Sequence, residues 1–147
     1  MSTATATATD QNIWQELRDN ICETEVWLRT TLKDFLEEYG ITQQQFNILR
    51  ILRDANNEPM STKEIKAKMI DKNSDASRLV DRLVDKELVR KRQSPEDGRL
   101  IQVFINYEGI KLLAKIDDKL HELDDQFELL SEDEAEQLNA LLEKVRV

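Results

Sequence analysis

Residues 73–113 read NSDASRLVDRLVDKELVRKRQSPEDGRLIQVFINYEGIKLL, and this stretch decides the fold of the chain. Apolar residues at three- and four-residue spacing predict a helix over residues 74–86. The short β-prone runs 89–93 and 100–105 flank the turn-forming segment PEDG, so a two-stranded hairpin should follow the helix. A helix that leads directly into a hairpin is typical of the winged helix-turn-helix, in which a short helix comes first.

That short helix is predicted at residues 61–69, STKEIKAKM. Ser61 and Glu64 stand three residues apart, the spacing of a capping box, in which each side chain accepts a hydrogen bond from the backbone of the other. Ile65 and Met69, one turn apart, are expected to face inward. The order of short helix, turn, second helix and hairpin therefore predicts a mainly α fold built on a winged helix-turn-helix.

Two more helices are predicted upstream of this motif. The first covers residues 10–39 and ends at Gly40, which is placed as a left-handed cap. The second begins at Thr42, with Gln45 three residues on to complete another capping box. The Ala- and Thr-rich residues 1–9 are interpreted as a disordered tail, and neither a signal peptide nor a membrane span is expected there.

Two helices are predicted downstream of the hairpin. Asn106 can cap a helix over residues 107–130, and Ser131 with Glu134 opens the last helix. Apolar residues alternate along the first of these helices in the manner of a heptad seam, namely Leu113, Ile116, Leu120, Leu123, Phe127 and Leu130. A helix that exposes so many large apolar side chains needs a partner surface, which predicts a dimer, with packing inside one subunit as the alternative.

Charge is distributed unevenly along the 147 residues, whose formal net charge is -9. Residues 42–105 hold 13 Lys or Arg and 10 Asp or Glu, so this part carries +3 and the remainder carries -12. Because an acidic surface repels DNA, any contact with phosphates is confined to the middle of the chain. The length suits a single domain.

Candidate DNA contacts lie at the start of the second helix of the motif, where a recognition helix enters the major groove. The non-core positions there, with a lysine just before the helix and an arginine one turn later, are Lys72, Ser74, Asp75, Ser77, Arg78 and Arg82. Small hydroxyls and a guanidinium can approach base edges, whereas Arg82 is better placed for phosphate or a protein partner. The alternative is that these residues form the solvated face of an amphipathic helix.

The hairpin favours the DNA-binding interpretation over a merely solvated helix. Arg90, Lys91 and Arg92 lead into the hairpin and Arg99 follows its turn, so four cations flank one protruding loop of an acidic chain. Solubility alone does not explain such a cluster, because the rest of the chain is negatively charged. A wing of this kind is expected to reach the minor groove next to the major groove occupied by the recognition helix.

Several pieces of the sequence, in one order, resemble the MarR family of bacterial regulators over residues 40–113. GITQQQFNILRIL resembles the second helix of the family, STKEIKAKM the third, NSDASRLVDRLVDKELV the recognition helix, and RKRQSPEDGRLIQVFINYEGIKLL the wing and the helix after it. The resemblance implies that Arg99 inserts into the minor groove and that Asp97 supports the wing. It also implies a homodimeric, sequence-specific regulator, expected to be a repressor, on a pseudo-palindromic operator with half-sites about 34 Å apart.

Two positions depart from the pattern of the family. Glu87 stands where the family has the glycine that ends the recognition helix, so this hinge should be strained or differently shaped. Asn106 replaces the usual threonine before the next helix, and asparagine is an equally good cap. Neither departure removes the DNA-binding interpretation.

The resemblance also implies a domain organisation and an effector. Residues 10–147 are expected to form one MarR-like domain, with dimerisation helices at 10–39 and 107–147 and the DNA-binding lobe at 40–106. Family members often bind small aromatic or anionic effectors in a cleft beside the lobe. Four aromatic residues could line such a cleft, although each is interpreted first as plain core: Trp14, Trp27, Tyr39 and Phe46.

Other functions are weaker alternatives. Cys22, the single cysteine, suits a reducing cytoplasmic interior, and its acidic neighbours disfavour a reactive thiolate, so an oxidant sensor is the lesser hypothesis. His121, the single histidine, has no nucleophile at a suitable spacing, so an enzyme is not expected, and neither is a metal or another cofactor. A winged-helix module that binds another protein remains as the alternative, because the net charge is acidic.

Overall fold

The structure, a computed structural model, describes residues 12–147. The tail predicted at residues 1–9 and the first two residues of the predicted first helix lie outside this range. The chain divides into two compact units with the boundary after Gln43. The first unit contains α1 (Ile13–Glu37). Asn12 is the N-cap of this helix, and its side chain accepts a hydrogen bond from the backbone N–H of Gln15.

The second unit follows the predicted order of short helix, second helix and hairpin. After α1, the elements are α2 (Gln43–Asp54), β1 (Met60–Ser61), α3 (Thr62–Lys68), α4 (Ala76–Asp85), β2 (Val89–Gln93), β3 (Ile101–Ile105), α5 (Tyr107–Asp117), α6 (His121–Asp124), a 3-10 helix (Asp125–Phe127) and α7 (Glu132–Val145). The mainly α winged helix-turn-helix fold is therefore confirmed.

Local side-chain chemistry sets several of the helix ends, as predicted. Ser61 Oγ accepts from the backbone N–H of Glu64 at 3.1 Å, and Glu64 Oε1 accepts from the backbone N–H of Ser61 at 2.9 Å. The same reciprocal pair of hydrogen bonds joins Ser131 and Glu134 at the start of α7. Gly40 adopts φ +72° beyond the end of α1, the left-handed conformation expected of a glycine cap.

The Glu64 carboxylate is expected to make stability depend on pH. Hydrogen bonds from the Ser61 backbone and side chain hold the pKa of Glu64 below its usual range. A depressed folded-state pKa contributes stability that is present above the unfolded-state value of about 4.3 and is lost as pH falls through the folded-state value. The unfolding free energy of the parent, measured by urea titration relative to Glu64→Gln, should therefore be constant near neutral pH and decline as the pH is lowered below about 4.3. A constant difference over this range would contradict the assignment.

The core of the second unit is formed by the apolar faces of its helices and one face of the sheet. α3 packs against α4 and the sheet, and α4 also packs against β2. The inward orientation predicted for Ile65 and Met69 is confirmed, since both are buried. The fully buried side chains of this unit are Ile48, Leu49, Leu52, Ile65, Met69, Val80, Leu83, Val89, Val103, Leu113 and Ile116.

The sheet contains one strand more than the predicted hairpin. Its order is β1-β3-β2, and β1 pairs antiparallel with β3 through Met60 with Val103 and Ser61 with Gln102. A two-residue strand carries no alternating pattern, and Ser61 serves at the same time as the cap of α3, so only the capping signal was visible in the sequence. β1 pairs with the side of β3 that faces away from β2. Among the described strands, β2 therefore forms the free edge of the hairpin.

The helix predicted over residues 107–130 is not continuous, so the prediction of an unbroken heptad seam along it is wrong. α5 ends at Asp117, after which Lys119 donates to Ile116 and Leu120 to Asp117, three residues back instead of four. These tighter turns change the helical period, and carboxylates such as Asp117 and Asp118 at a helix C-terminus oppose the helix dipole. Of the predicted seam, Leu113 and Ile116 are buried, Leu120 and Leu123 are half-buried, and Phe127 and Leu130 are exposed.

The interpretation of four aromatic residues as core holds only in part. Phe46 is buried and Tyr39 is half-buried. Trp14 and Trp27 on α1 are 69% and 41% exposed, so for them the core interpretation is wrong in the single chain. The reason is that within α1 burial is confined to Leu36, near the end of the helix. None of the helices in residues 12–147 has the length and apolar character required to cross a membrane.

Candidate nucleic-acid interface

α4 presents one polar face, and its opposite face is buried in the core. The predicted helix over residues 74–86 is shortened to Ala76–Asp85, because Asp75 is its N-cap. Asp75 Oδ1 accepts from the backbone N–H of Arg78 at 3.1 Å, so this carboxylate serves the helix itself. The exposed positions of α4 are Ser77, Arg78, Asp81, Arg82 and Asp85.

The turn between α3 and α4 holds two of the candidate residues in contact with protein backbone. Lys72 Nζ donates to the Met69 carbonyl at 2.8 Å, and the backbone N–H of Ser74 donates to the Asp71 carbonyl at 3.2 Å. Ser74 is half-buried, whereas Lys72 is exposed. The turn therefore places Ser74 before the helix, not within it, and gives the Lys72 ammonium a partner inside the chain.

The basic side chains of β2 lie on both faces of the hairpin. Arg90 lies opposite Phe104 and Arg92 opposite Gln102, so both arginines share the solvent face of the sheet. Lys91 lies opposite the buried Val103, on the face that packs against the core. This division follows from the two-residue period of a strand, which sends neighbouring side chains to opposite faces.

Two of these cations are fixed by neighbouring side chains. Arg92 Nε donates to Gln102 Oε1 at 3.0 Å, and its guanidinium lies 5.7 Å from the centroid of the Phe104 ring. Lys91 Nζ lies 2.7 Å from Asp81 Oδ1, an ion pair that connects the hairpin to the exposed face of α4. Arg92 is therefore held flat against the sheet, and Lys91 joins the wing to the recognition helix.

The tip of the wing is organised by Ser94 and Asp97. The buried Ser94 Oγ accepts from the backbone N–H groups of Glu96 and Asp97 at 3.2 and 3.3 Å. Asp97 Oδ1 in turn accepts from the backbone N–H of Arg99 at 3.1 Å and from its Nε at 3.3 Å. The turn is thus closed by hydrogen bonds, while the Arg99 side chain remains 94% exposed.

Three residues of this surface were not predicted from the sequence. Asp81 and Gln102 are the partners of Lys91 and Arg92, and Ser94 accepts the hydrogen bonds that close the wing turn. Gln102 lies opposite Arg92 only because the hairpin register is centred on Asp97, one half-step from the middle of PEDG, so the turn motif alone does not identify it. No sequence signal identifies Asp81, because its partner lies on another element.

Within residues 12–147, no three His, Cys, Asp or Glu side chains are grouped so that they could hold a metal ion. Cys22 is a free, exposed thiol on α1. The exposed polar side chains described above lie on α4 and on the wing.

Comparison with known proteins places this arrangement in a family. The profile of the MarR family matches residues 41–101. The HTH-type transcriptional regulator MhqR of Bacillus subtilis is 30% identical over 111 residues, which cover 75% of this chain and 75% of that protein. The HTH-type transcriptional repressor IacR of Pseudomonas putida is 30% identical over 115 residues, 78% of this chain and 68% of that protein. A mutant MarR from E. coli, solved with operator DNA, has a TM-score of 0.80 and 25% identity over 92% of this chain and 99% of that one.

The named relatives are transcriptional regulators and not enzymes. The matched segment extends from the residues before α2 to the first residue of β3, and it therefore contains the helix-turn-helix, β2 and the wing tip. The chain belongs to the MarR family, and it is a transcriptional regulator with a DNA-binding winged helix.

Proposed function

We propose that the chain is a homodimeric repressor that binds a pseudo-palindromic operator with α4 in the major groove and the wing in the adjacent minor groove. The observation that best supports this proposal is the wing tip, where Arg99 is 94% exposed on a turn closed by Ser94 and Asp97. A fixed turn that carries an exposed guanidinium can enter a narrow groove with little loss of conformational freedom.

Arg99 is suited to this role because its ion pair with Asp97 inside the chain is weak. An ion pair as exposed as Arg99 with Asp97 contributes at most about 1 kcal/mol, so the guanidinium can exchange the carboxylate for the minor groove at small cost. Asp97 keeps its hydrogen bond from the backbone N–H of Arg99 after such an exchange. We therefore propose Asp97 as the support of the wing and Arg99 as its contact.

The polar face of α4 supports base recognition by a few side chains. Ser77 and Arg78 lie in its first turn, where a recognition helix approaches base edges, and Arg82 lies one turn further. Asp75 is occupied as the cap, and Lys72 by the Met69 carbonyl. We propose Ser77 and Arg78 for base contacts, and Arg82, Arg90 and Arg92 for phosphates.

Replacing Arg78 with alanine is expected to weaken operator binding by about 1–3 kcal/mol and to relax sequence preference at one position of each half-site. The reason is that a guanidinium can bind a guanine edge with two hydrogen bonds, which alanine cannot replace. Competition gel shifts with operator duplexes mutated one base pair at a time would measure the loss of preference. The DNA to use first is the region upstream of the gene itself.

Arg29→Ala is the matched control for this experiment. Arg29 is an exposed cation on α1 that pairs with Glu25 at 3.1 Å, so its removal changes net charge by the same amount outside the DNA-binding lobe. Arg29→Ala should leave the ranking of mutated duplexes unchanged. If Arg78→Ala left that ranking unchanged as well, the assignment of Arg78 to a base contact would be wrong.

Exposed apolar side chains support the dimer. On α1 they include Ile13, Trp14 and Leu17, and towards the C-terminus they include Leu129, Leu130, Leu138, Leu141 and Val145. Two-fold symmetry would then set two recognition helices about 34 Å apart, one turn of B-DNA. Light scattering would test the dimer independently of DNA binding.

Salt dependence distinguishes this proposal from a winged helix that binds only protein. Each phosphate neutralised by a cation contributes about -0.9 to the slope of log affinity against log salt, so operator binding should weaken steeply as salt rises. The absence of any operator binding at low salt would favour the protein-binding alternative.

We also infer that the protein works in the cytoplasm, has no catalytic step, and responds to a small aromatic or anionic effector.

A further inference from the structure

The hinge between α4 and β2 is built around a glutamate in the left-handed conformation. Glu87 has φ +61°, a region that side chains other than glycine rarely adopt. Its backbone N–H donates to the Val84 carbonyl at 2.9 Å, and that of Leu88 donates to the Leu83 carbonyl at 3.0 Å, the two hydrogen bonds of a Schellman motif. The strain predicted for this position is present, so other contacts must hold the hinge.

Asn106, which lies between β3 and α5, holds this hinge. Its Nδ2 donates to the Glu87 carbonyl at 2.8 Å, and its backbone N–H donates to the Leu88 carbonyl at 3.1 Å. Its Oδ1 accepts from the backbone N–H of Gly109 at 3.0 Å as the cap of α5. Because a carboxamide has both a donor and an acceptor, the side chain joins the end of α4 to the first turn of α5, while the backbone N–H of the same residue joins the base of the hairpin.

Packing contributes little on one side of this hinge. An open cleft of about 490 Å³ borders it, and the residues that line the cleft are Val84, Glu87, Val89, Arg90, Lys91, Asn106, Tyr107 and Glu108. α4 also packs against β2, and a second polar connection between them, the ion pair of Lys91 with Asp81, is largely exposed and is weakened by salt. Among the polar contacts between α4 and the wing, the hydrogen bonds of Asn106 are therefore the firmer restraint on the angle between them.

A small change at the hinge becomes a large displacement at the wing tip. Val89 and Ile105 form the last pair of the hairpin, directly next to the hinge. A five-residue strand spans about 17 Å, so a rotation of about 10° at the base moves the tip by about 3 Å. Recognition groups must be held to within about 0.5 Å. The hinge therefore determines whether Arg99 and α4 can occupy adjacent grooves at the same time.

We infer that Asn106 is a positioning residue which, through the Glu87 carbonyl, fixes the angle between the recognition helix and the wing. The inference rests on the proposed mode of DNA binding and specifies what orients its two contacts. It also connects two departures from the family pattern, because a left-handed glutamate needs a restraint that a glycine does not.

The test is a double-mutant cycle on operator binding with Asn106→Thr, Glu87→Gly and the combined variant. A threonine hydroxyl retains the cap of α5 but is one bond shorter than the carboxamide, so it loses the hydrogen bond to Glu87. Asn106→Thr should weaken operator binding about tenfold and leave binding to random DNA unchanged. In the Glu87→Gly background, the same change should have an effect of less than about twofold, because glycine adopts the left-handed conformation unaided.

Ile116→Val controls for a general loss of stability. Ile116 is fully buried in α5 and is not a hydrogen-bond partner of Asn106, so its truncation lowers the melting temperature without removing the hydrogen bonds of the hinge. The inference is overturned if Ile116→Val reduces the ratio of operator to random binding as much as Asn106→Thr does. It is equally overturned if Asn106→Thr has the same effect with glutamate and with glycine at position 87. A parent chain that bound no DNA would instead refute the proposed function, and thermal unfolding of the same four proteins would still measure the coupling of the two residues.

Discussion

Replacement of Arg99 by alanine is expected to weaken binding to operator DNA by about 10- to 100-fold for each of the two wings that contact it. Binding to DNA of random sequence should weaken as well. Hydrogen bonds to a charged group contribute about 1.5–3 kcal/mol, and the guanidinium gains more in a narrow groove than a strongly hydrated ammonium would. Fluorescence anisotropy with labelled operator and scrambled duplexes, each at several salt concentrations, would measure the effect. The salt slope should decrease by about 2 for a dimer, one for each wing.

Two further variants serve as controls for this experiment. Arg99→Lys retains the charge without the forked donors, so its affinity should lie between those of the parent and the alanine variant. Lys119→Ala removes an exposed cation that pairs with Glu122 outside the winged helix, and it should bind as the parent does. Parent-like affinity of Arg99→Ala on both duplexes would show that the wing tip does not contact DNA.

Gly109→Ala is expected to destabilise the fold by about 3 kcal/mol. A Cβ at this position would stand 2.4 Å from the Leu88 carbonyl oxygen and 2.7 Å from Ile105 Cγ1. That carbonyl already accepts a hydrogen bond from Asn106, so it cannot move aside without breaking the base of the hairpin. Forcing extra atoms into a packed site costs about 1–3 kcal/mol, and a backbone obstacle puts this case at the upper end. The melting temperature should fall by about 6–12 °C.

Gly98→Ala is the matched control for this substitution. A Cβ at Gly98, in the turn of the wing, would meet no heavy atom within 4 Å. Its melting temperature should therefore stay close to that of the parent, within the range of an ordinary surface change of about 0.5 kcal/mol. Equal melting temperatures for Gly109→Ala and the parent would mean that α5 does not approach Leu88 and Ile105 as closely as described.

Features that depend on a few neighbouring residues could be predicted from the sequence. The caps at Ser61, Asn106 and Ser131, the left-handed Gly40 and the hairpin around PEDG each arise from chemistry within about four residues. The strain at Glu87 was expected from the resemblance to the family, which has a glycine at this position. Local signals of this kind were sufficient to identify the winged helix.

Features that depend on distant partners could not be predicted. The pairing of β1 with β3 requires residues more than 40 positions apart, and the ion pair of Lys91 with Asp81 requires the angle between a helix and a strand. The spacing of apolar residues also did not reveal the tighter turns after Asp117, because three- and four-residue spacing fits both kinds of turn. For the interface, the sequence indicated which cations lie near the wing, whereas the structure shows which of them already have partners.

The positions of the two tryptophans make intrinsic fluorescence a selective reporter. Both tryptophans of the chain, Trp14 and Trp27, lie on α1 and are exposed, whereas the winged helix contains none. Indole emission shifts to shorter wavelength when the ring leaves water, and it responds little to events elsewhere in the chain. The emission maximum of the unlabelled protein therefore monitors the surroundings of α1 alone, and a dilution series would follow any covering of that helix without a dye, a tag or DNA.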